Sequence, residues 1–213
     1  MKKLLTALAA ATCFSVANAA LITIDNFSTN QGPIVDTTVS GLATTAPDAV
    51  CDTNSARTLC ANLLADPFQS GMNARVIGGQ LNVSNGAGTD SQVAVRWNLA
   101  AGFIPANAIG SFDFLVIRSD GEPTNLAFFF NGVAINNSVI APSTVNQTVS
   151  FNAPIAQLAA GGVLELRITG SSDWDVQLDS LGLNVTNLQV PVPAIPLLLG
   201  AGLVALGLRR KQK

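Results

Sequence analysis

Apolar residues recur at every second position through much of this chain, in short runs broken by glycine, asparagine and aspartate. A pleated strand presents successive side chains to opposite faces, so this period selects strands over helices for most of the length. Val93, Val95 and Trp97 fall on one side of such a strand, with Gln92, Ala94 and Arg96 on the other. Leu164, Leu166 and Ile168 repeat the arrangement against Glu165, Arg167 and Thr169. Strands are expected over 21–27, 34–40, 74–84, 92–99, 111–118, 125–131, 144–151, 163–169 and 174–186. Turn sequences separate them, among them the stretch 85–90, Asp120-Gly121-Glu122-Pro123 and Gly161-Gly162. About nine short strands with this punctuation predict an all-β fold, an antiparallel β-sandwich or jelly roll.

One stretch departs from the alternation. Leu59, Leu63 and Leu64 stand at helical spacing, Asn54 precedes them as an N-cap and Pro67 follows. A short helix is therefore expected over 55–65, inside a decorated loop running from 41 to 70. Cys51 and Cys60 lie in the same region, and in an oxidising compartment such a pair is expected to form a disulfide. It would tie that helix to its leading loop, and closing so short a loop contributes about 2–3 kcal/mol. A zinc pair is not expected, because between the two signals no further cysteine or histidine could complete four ligands.

Both ends of the chain read as addresses. Lys2-Lys3 precede an apolar run over 4–16, and Ala17-Asn18-Ala19 fits a small-x-small cleavage pattern. Residues 1–19 are expected to be a signal peptide, forming a signal helix, with cleavage between Ala19 and Ala20. At the other end, Val190-Pro191-Val192-Pro193-Ala194 leads into an uncharged apolar stretch over 195–208, closed by Arg209-Arg210-Lys211-Gln212-Lys213. Crossing a bilayer takes about 20 apolar residues, and counting from Val190 brings the segment near that length, as a short transmembrane helix. Its basic end should stay on the cytoplasmic side. A permanent tail anchor is the alternative to a processed signal. A lipid anchor at Cys13 lacks the usual branched apolar residue before it.

The C-terminal tail resembles the sorting signal of PEP-CTERM proteins, in the variant written Val-Pro-Leu-Pro-Ala. Val192 stands where that variant has leucine, no Pro-Glu-Pro occurs, and the match covers about 24 of the 213 residues. The resemblance implies processing by an exosortase, a membrane protease, at Val190, Pro191, Val192, Pro193 and Ala194. It implies a bacterial, Gram-negative protein, held transiently in the inner membrane and exported to the cell surface or exopolysaccharide matrix. Ile24-Asp25-Asn26-Phe27-Ser28 and the stretch 174–181 also resemble the opening and closing strands of galactose-binding-like jelly rolls found in many such proteins.

Between its two signals, residues 20–189 are expected to make one domain with a proper core. All four lysines belong to the signals, whereas all thirteen acidic residues lie in the domain. Its only cations are Arg57, Arg75, Arg96, Arg118 and Arg167, so it carries about −8. Such a surface repels phosphate backbones and argues against nucleic acid as a partner. The absence of histidine removes the usual general base.

Asp173, Asp175 and Asp179 would share one face of a strand, and Asp25 would join them if the first and last strands pair. Several carboxylates close together point to calcium, which takes six to eight oxygen ligands. Ordinary solvated or turn-forming aspartates are the alternative. Glu165 and Asp175 are conceivable glycosidase carboxylates, though sequence spacing cannot set them across a cleft. No Gly-x-Ser-x-Gly elbow occurs. Trp97 and Trp174 could stack on sugars but lie in strands where burial is commoner. Phe128-Phe129-Phe130 must put at least one ring on each face. Two functions are expected from this pattern: an exported non-enzymatic sandwich with a structural or adhesive role, or a carbohydrate-binding module braced by calcium. Exopolysaccharide would be the partner in the matrix.

Overall fold

A computed structural model describes residues 18–39, 50–104, 109–153 and 155–188. Residues 1–17 of the expected signal helix, the expected processing residues Val190–Ala194 and the expected membrane segment lie outside the described residues, whereas Asn18 and Ala19 open a strand. Alternation of buried and exposed side chains organises the described residues into thirteen strands and one 3₁₀ turn, Ile155–Ala160. In chain order the strands are β1 (Asn18–Asp25), β2 (Gln31–Asp36), β3 (Val50–Thr53), β4 (Thr58–Ala65), β5 (Met72–Ile77), β6 (Gln80–Asn85) and β7 (Asp90–Leu99). They continue as β8 (Ile109–Ser119), β9 (Thr124–Phe130), β10 (Val133–Ile140), β11 (Val145–Ala153), β12 (Gly162–Gly170) and β13 (Val176–Leu188).

These strands form an antiparallel two-sheet sandwich. One sheet has seven strands in the order β11-β8-β13-β6-β5-β2, with β1 paired to the later part of β13. The other has six, in the order β10-β9-β12-β7-β4-β3. The expected pairing of the first and last strands is present: Ala20 lies opposite Val185 and Asp25 opposite Leu181. Cleavage after Ala19 would leave that ladder intact from Ala20 onward.

Each sheet turns alternate side chains inward. Phe112, Phe114 and Val116 of β8 meet Leu126, Phe128 and Phe130 of β9, all buried. Phe112 and Phe128 stack with ring centroids 4.2 Å apart, and Phe114 lies 5.6 Å from Phe128. Trp97 and Trp174 are both buried, so neither offers a free sugar-stacking face.

The two sheets are also joined by a buried polar contact. The Asp25 carboxylate accepts from both Nε and Nη2 of Arg57, from Trp97 Nε1 at 2.6 Å and from the Phe27 amide at 2.8 Å. Arg57 donates a further bond to the Thr29 carbonyl at 2.8 Å and lies over the Phe27 ring. Asp25 comes from β1 of the larger sheet, Trp97 from β7 of the smaller. With every charged atom partnered, the contact can sit in the interior.

Several local expectations need correction. The helix over 55–65 is absent: Thr58–Ala65 is strand β4, paired with β3 and β7. Leu59, Ala61 and Leu63 face the core at strand spacing, and burial on both faces of β4 overrides local propensity. Asn54 still behaves as a cap, accepting from the amides of Ala56 at 2.8 Å and Arg57 at 3.0 Å. It closes a hairpin turn with these bonds, sealed by the Asn54 amide on the Arg57 carbonyl. The region 41–70 is thus more than a decorated loop, because it supplies two strands of a sheet. The Cys51–Cys60 disulfide does form, but it crosses that hairpin between directly opposed residues with Cα atoms 4.1 Å apart.

The single strand expected over 74–84 is two strands, β5 and β6. Gly78 and Gly79 take φ of +61° and +82°, making the two-residue turn that glycine permits without steric cost. Strand β10 went unexpected because its outward residues are mostly polar or exposed. Its signal was Asn131-Gly132 (φ +49° and +80°), the hairpin dipeptide that joins it to β9.

Candidate functional site

The outer face of the seven-stranded sheet carries the most developed polar surface. On β5, Met72, Ala74 and Val76 enter the core and leave Asn73 and Arg75 outside. On β6, Leu81 and Val83 do the same and leave Asn82 and Ser84 outside. Gln177 lies between buried Val176 and Leu178 on β13. Arg118 would by simple alternation join Phe112, Phe114 and Val116 inside. The pairing of β8 with β13 slips one residue at this point, with Gln177 opposite Arg118 but Leu178 opposite Val116. The resulting bulge re-aims Arg118 outward.

Register then sets four side chains side by side across four strands. Arg118 is opposite Gln177, Gln177 opposite Asn82, and Asn82 opposite Arg75. At the usual strand separation the row spans about 14 Å. Asn73 and Ser84 form the next pair, and Asp175 sits at the foot of β13. Together these residues line a cavity of about 360 Å³, within the usual range for small-molecule sites.

The arginines divide cleanly between the faces. Arg57 is spent on Asp25, while Arg96 and Arg167 both donate to Glu165 on the outer face of the six-stranded sheet. The Arg75 and Arg118 side chains make no hydrogen bond or salt bridge among the described residues, both are exposed, and both line the same cavity, where the Arg118 charge acts on Asp175. Burial pushes the Asp175 carboxyl above the usual aspartate range, and the nearby charge of Asp120 adds to this. The Asn85 amide, the Arg118 charge and the Ser84 hydroxyl oppose the rise.

The four aspartates considered for calcium are not assembled into one centre. Asp25 is occupied by Arg57 and Trp97. Asp173 and Asp175 precede β13, where they accept from the Gly88 and Asn85 amides respectively and pin the turn between β6 and β7. Asp179 falls at the irregularity in β13 between Leu178 and Leu181. Among the described residues no three Asp, Glu, His or Cys side chains converge as metal ligands. The four positions are thus divided between the inter-sheet contact, the turn and the strand irregularity.

Nor do Glu165 and Asp175 face one another. Glu165 lies on β12 of the six-stranded sheet, held by Arg96 and Arg167, while Asp175 leads into β13 of the other. Phe129 is the one ring of its triplet turned outward, and the Arg167 guanidinium covers it at 4.0 Å. Phe68 is different: 71% exposed, it projects from the loop between β4 and β5 and packs near Gly88. The row of Arg75, Asn82, Arg118 and Gln177 was missed in the sequence, because its members are neighbours only through strand register.

No family model and no curated protein matches the chain. Among solved structures it is similar to a CBM4 protein, with 13% identity, TM-score 0.40, 77% of this chain covered and 99% of that one. It is also similar to a family 11 carbohydrate-binding module from Clostridium thermocellum in complex with a β-1,3-1,4-mixed-linked tetrasaccharide (13% identity, TM-score 0.31, 71% and 94% covered). A third is TmCBM61 in complex with β-1,4-galactotriose (9% identity, TM-score 0.38, 59% and 88% covered).

Proposed function

We propose that this chain is an exported, non-catalytic β-sandwich that binds polysaccharide at the cell surface or in the extracellular matrix. The observation that carries this reading is the cavity on the seven-stranded sheet, lined by two amides of the central row, two guanidinium groups outside any salt bridge, a serine and a carboxylate. Sugar hydroxyls both donate and accept, and this lining supplies both partners at fixed spacing on rigid strands. Phe68 adds an exposed ring on a loop tied to the same strands by the Gly86 amide on the Gly71 carbonyl. The placement of β13 between β8 and β6 supports a jelly-roll reading of the galactose-binding-like kind.

Export is supported by the signal-like N-terminus and by a disulfide, a bond that persists in oxidising compartments. The tail over 190–213 supports exosortase processing after transient membrane anchoring. Intact-mass analysis of the mature protein from its native cells tests this: a chain still ending at Lys213 leaves a permanent anchor instead.

Affinity electrophoresis of the purified protein through gels containing neutral and acidic polysaccharides tests the binding function. Retardation by at least one polymer is expected, reduced by Asn82→Ala and Gln177→Ala. Unretarded migration through every gel would remove the binding reading and leave a purely structural role.

A further inference from the structure

Resting on that reading, we infer that the polysaccharide is an acidic one, and that Arg75 and Arg118 grip carboxylates of uronate residues at the two ends of the polar row. The domain has five arginines against thirteen carboxylates, so an unpaired cation is scarce on this surface. Three arginines are consumed by internal ion pairs. The remaining two are brought to one cavity from strands far apart in sequence, one of them by a bulge that turns it out of the core.

A guanidinium outside any salt bridge on an acidic protein is available to an external anion. Guanidinium matches a carboxylate with two parallel hydrogen bonds, which are shorter and roughly twice as strong as neutral ones. Between the two cations, Asn82 and Gln177 offer amides to ring hydroxyls, in the order Arg75, Asn82, Gln177, Arg118. That order fits a chain laid across the strands whose charged groups recur along its length. Asp175 shares the cavity near Arg118 and balances part of its charge, so Arg75 carries the larger share of the attraction. The overall negative charge of the domain opposes binding of any polyanion at a distance. Selectivity then depends on contact at the row and not on long-range steering.

The test is calorimetric titration of the purified protein with polygalacturonate, alginate and hyaluronate, each beside its carboxyl-reduced neutral form, and with dextran sulfate. At least one uronate polymer should bind about tenfold or more tightly than its reduced form, with the margin narrowing as salt rises. Arg75→Gln should erase most of that margin and Arg118→Gln part of it, each weakening the uronate polymer severalfold more than its reduced form, while the thermal midpoint stays unchanged. Equal affinity for native and reduced polymers, or arginine variants without effect on the margin, would overturn the uronate assignment and leave polysaccharide binding standing. Dextran sulfate bound as tightly as the best uronate would overturn carboxylate recognition in favour of charge alone. No heat with any polymer would remove both readings together.

Discussion

Asp25→Ala is expected to destabilise the protein by about 3–5 kcal/mol, the usual cost of stranding one member of a buried ion pair. Arg57 is 3% exposed and donates two of its hydrogen bonds to this carboxylate. Removing the carboxylate also orphans Trp97 Nε1, a buried donor on the opposite sheet. What remains to Arg57 is the Thr29 carbonyl and the face of Phe27, too little to offset the desolvation of a full charge. Urea denaturation followed by tryptophan fluorescence measures the loss. Arg57→Ala in the same background should recover part of it, because the second substitution removes the charge that the first leaves unpaired. A loss below about 1 kcal/mol, or strictly additive variants, would contradict this role for the contact.

Phe128→Ala is expected to cost a similar amount, about 3–5 kcal/mol, for a different reason. The ring is fully buried, stacked on Phe112 and tilted against Phe114 from the facing sheet. Truncation leaves a void between two sheets whose backbones are fixed by their ladders, so the surroundings cannot close in. The neighbouring Phe129→Ala provides the contrast. That ring faces outward under Arg167, and its loss should cost only about 1 kcal/mol, the scale of a partly exposed cation–π contact. Denaturation midpoints for the two variants should therefore differ severalfold in their displacement. Equal displacements would mean that the alternation along β9 does not divide core from surface as described.

The strands most legible in the sequence, such as β7 and β12, were those whose large apolar residues alternate with polar or small ones, because alternation there has one physical cause. Strand β4 was misread as helix because its leucines satisfy helical spacing and its Leu59-Ala61-Leu63 core face satisfies strand spacing equally well. Burial on both faces settles the matter, and that is a tertiary fact. The aspartates near 173–179 looked like a metal centre because proximity in sequence was read as convergence in space. Two of them are turn acceptors and one lies at a strand irregularity. The polar row was invisible for the converse reason. Residues 75, 82, 118 and 177 become adjacent only through three strand registers and a one-residue slip on β8.

The location of the binding face is tested most directly by backbone amide chemical shifts of the isotope-labelled protein, titrated with a soluble fragment of its tightest-binding polysaccharide. Shifts should concentrate at Arg75, Asn82, Arg118 and Gln177 and spare Ala127, Phe129 and Arg167 on the opposite face. Perturbations confined to β7, β9 and β12, or a spectrum unchanged at saturating ligand, would contradict a binding site on the seven-stranded sheet.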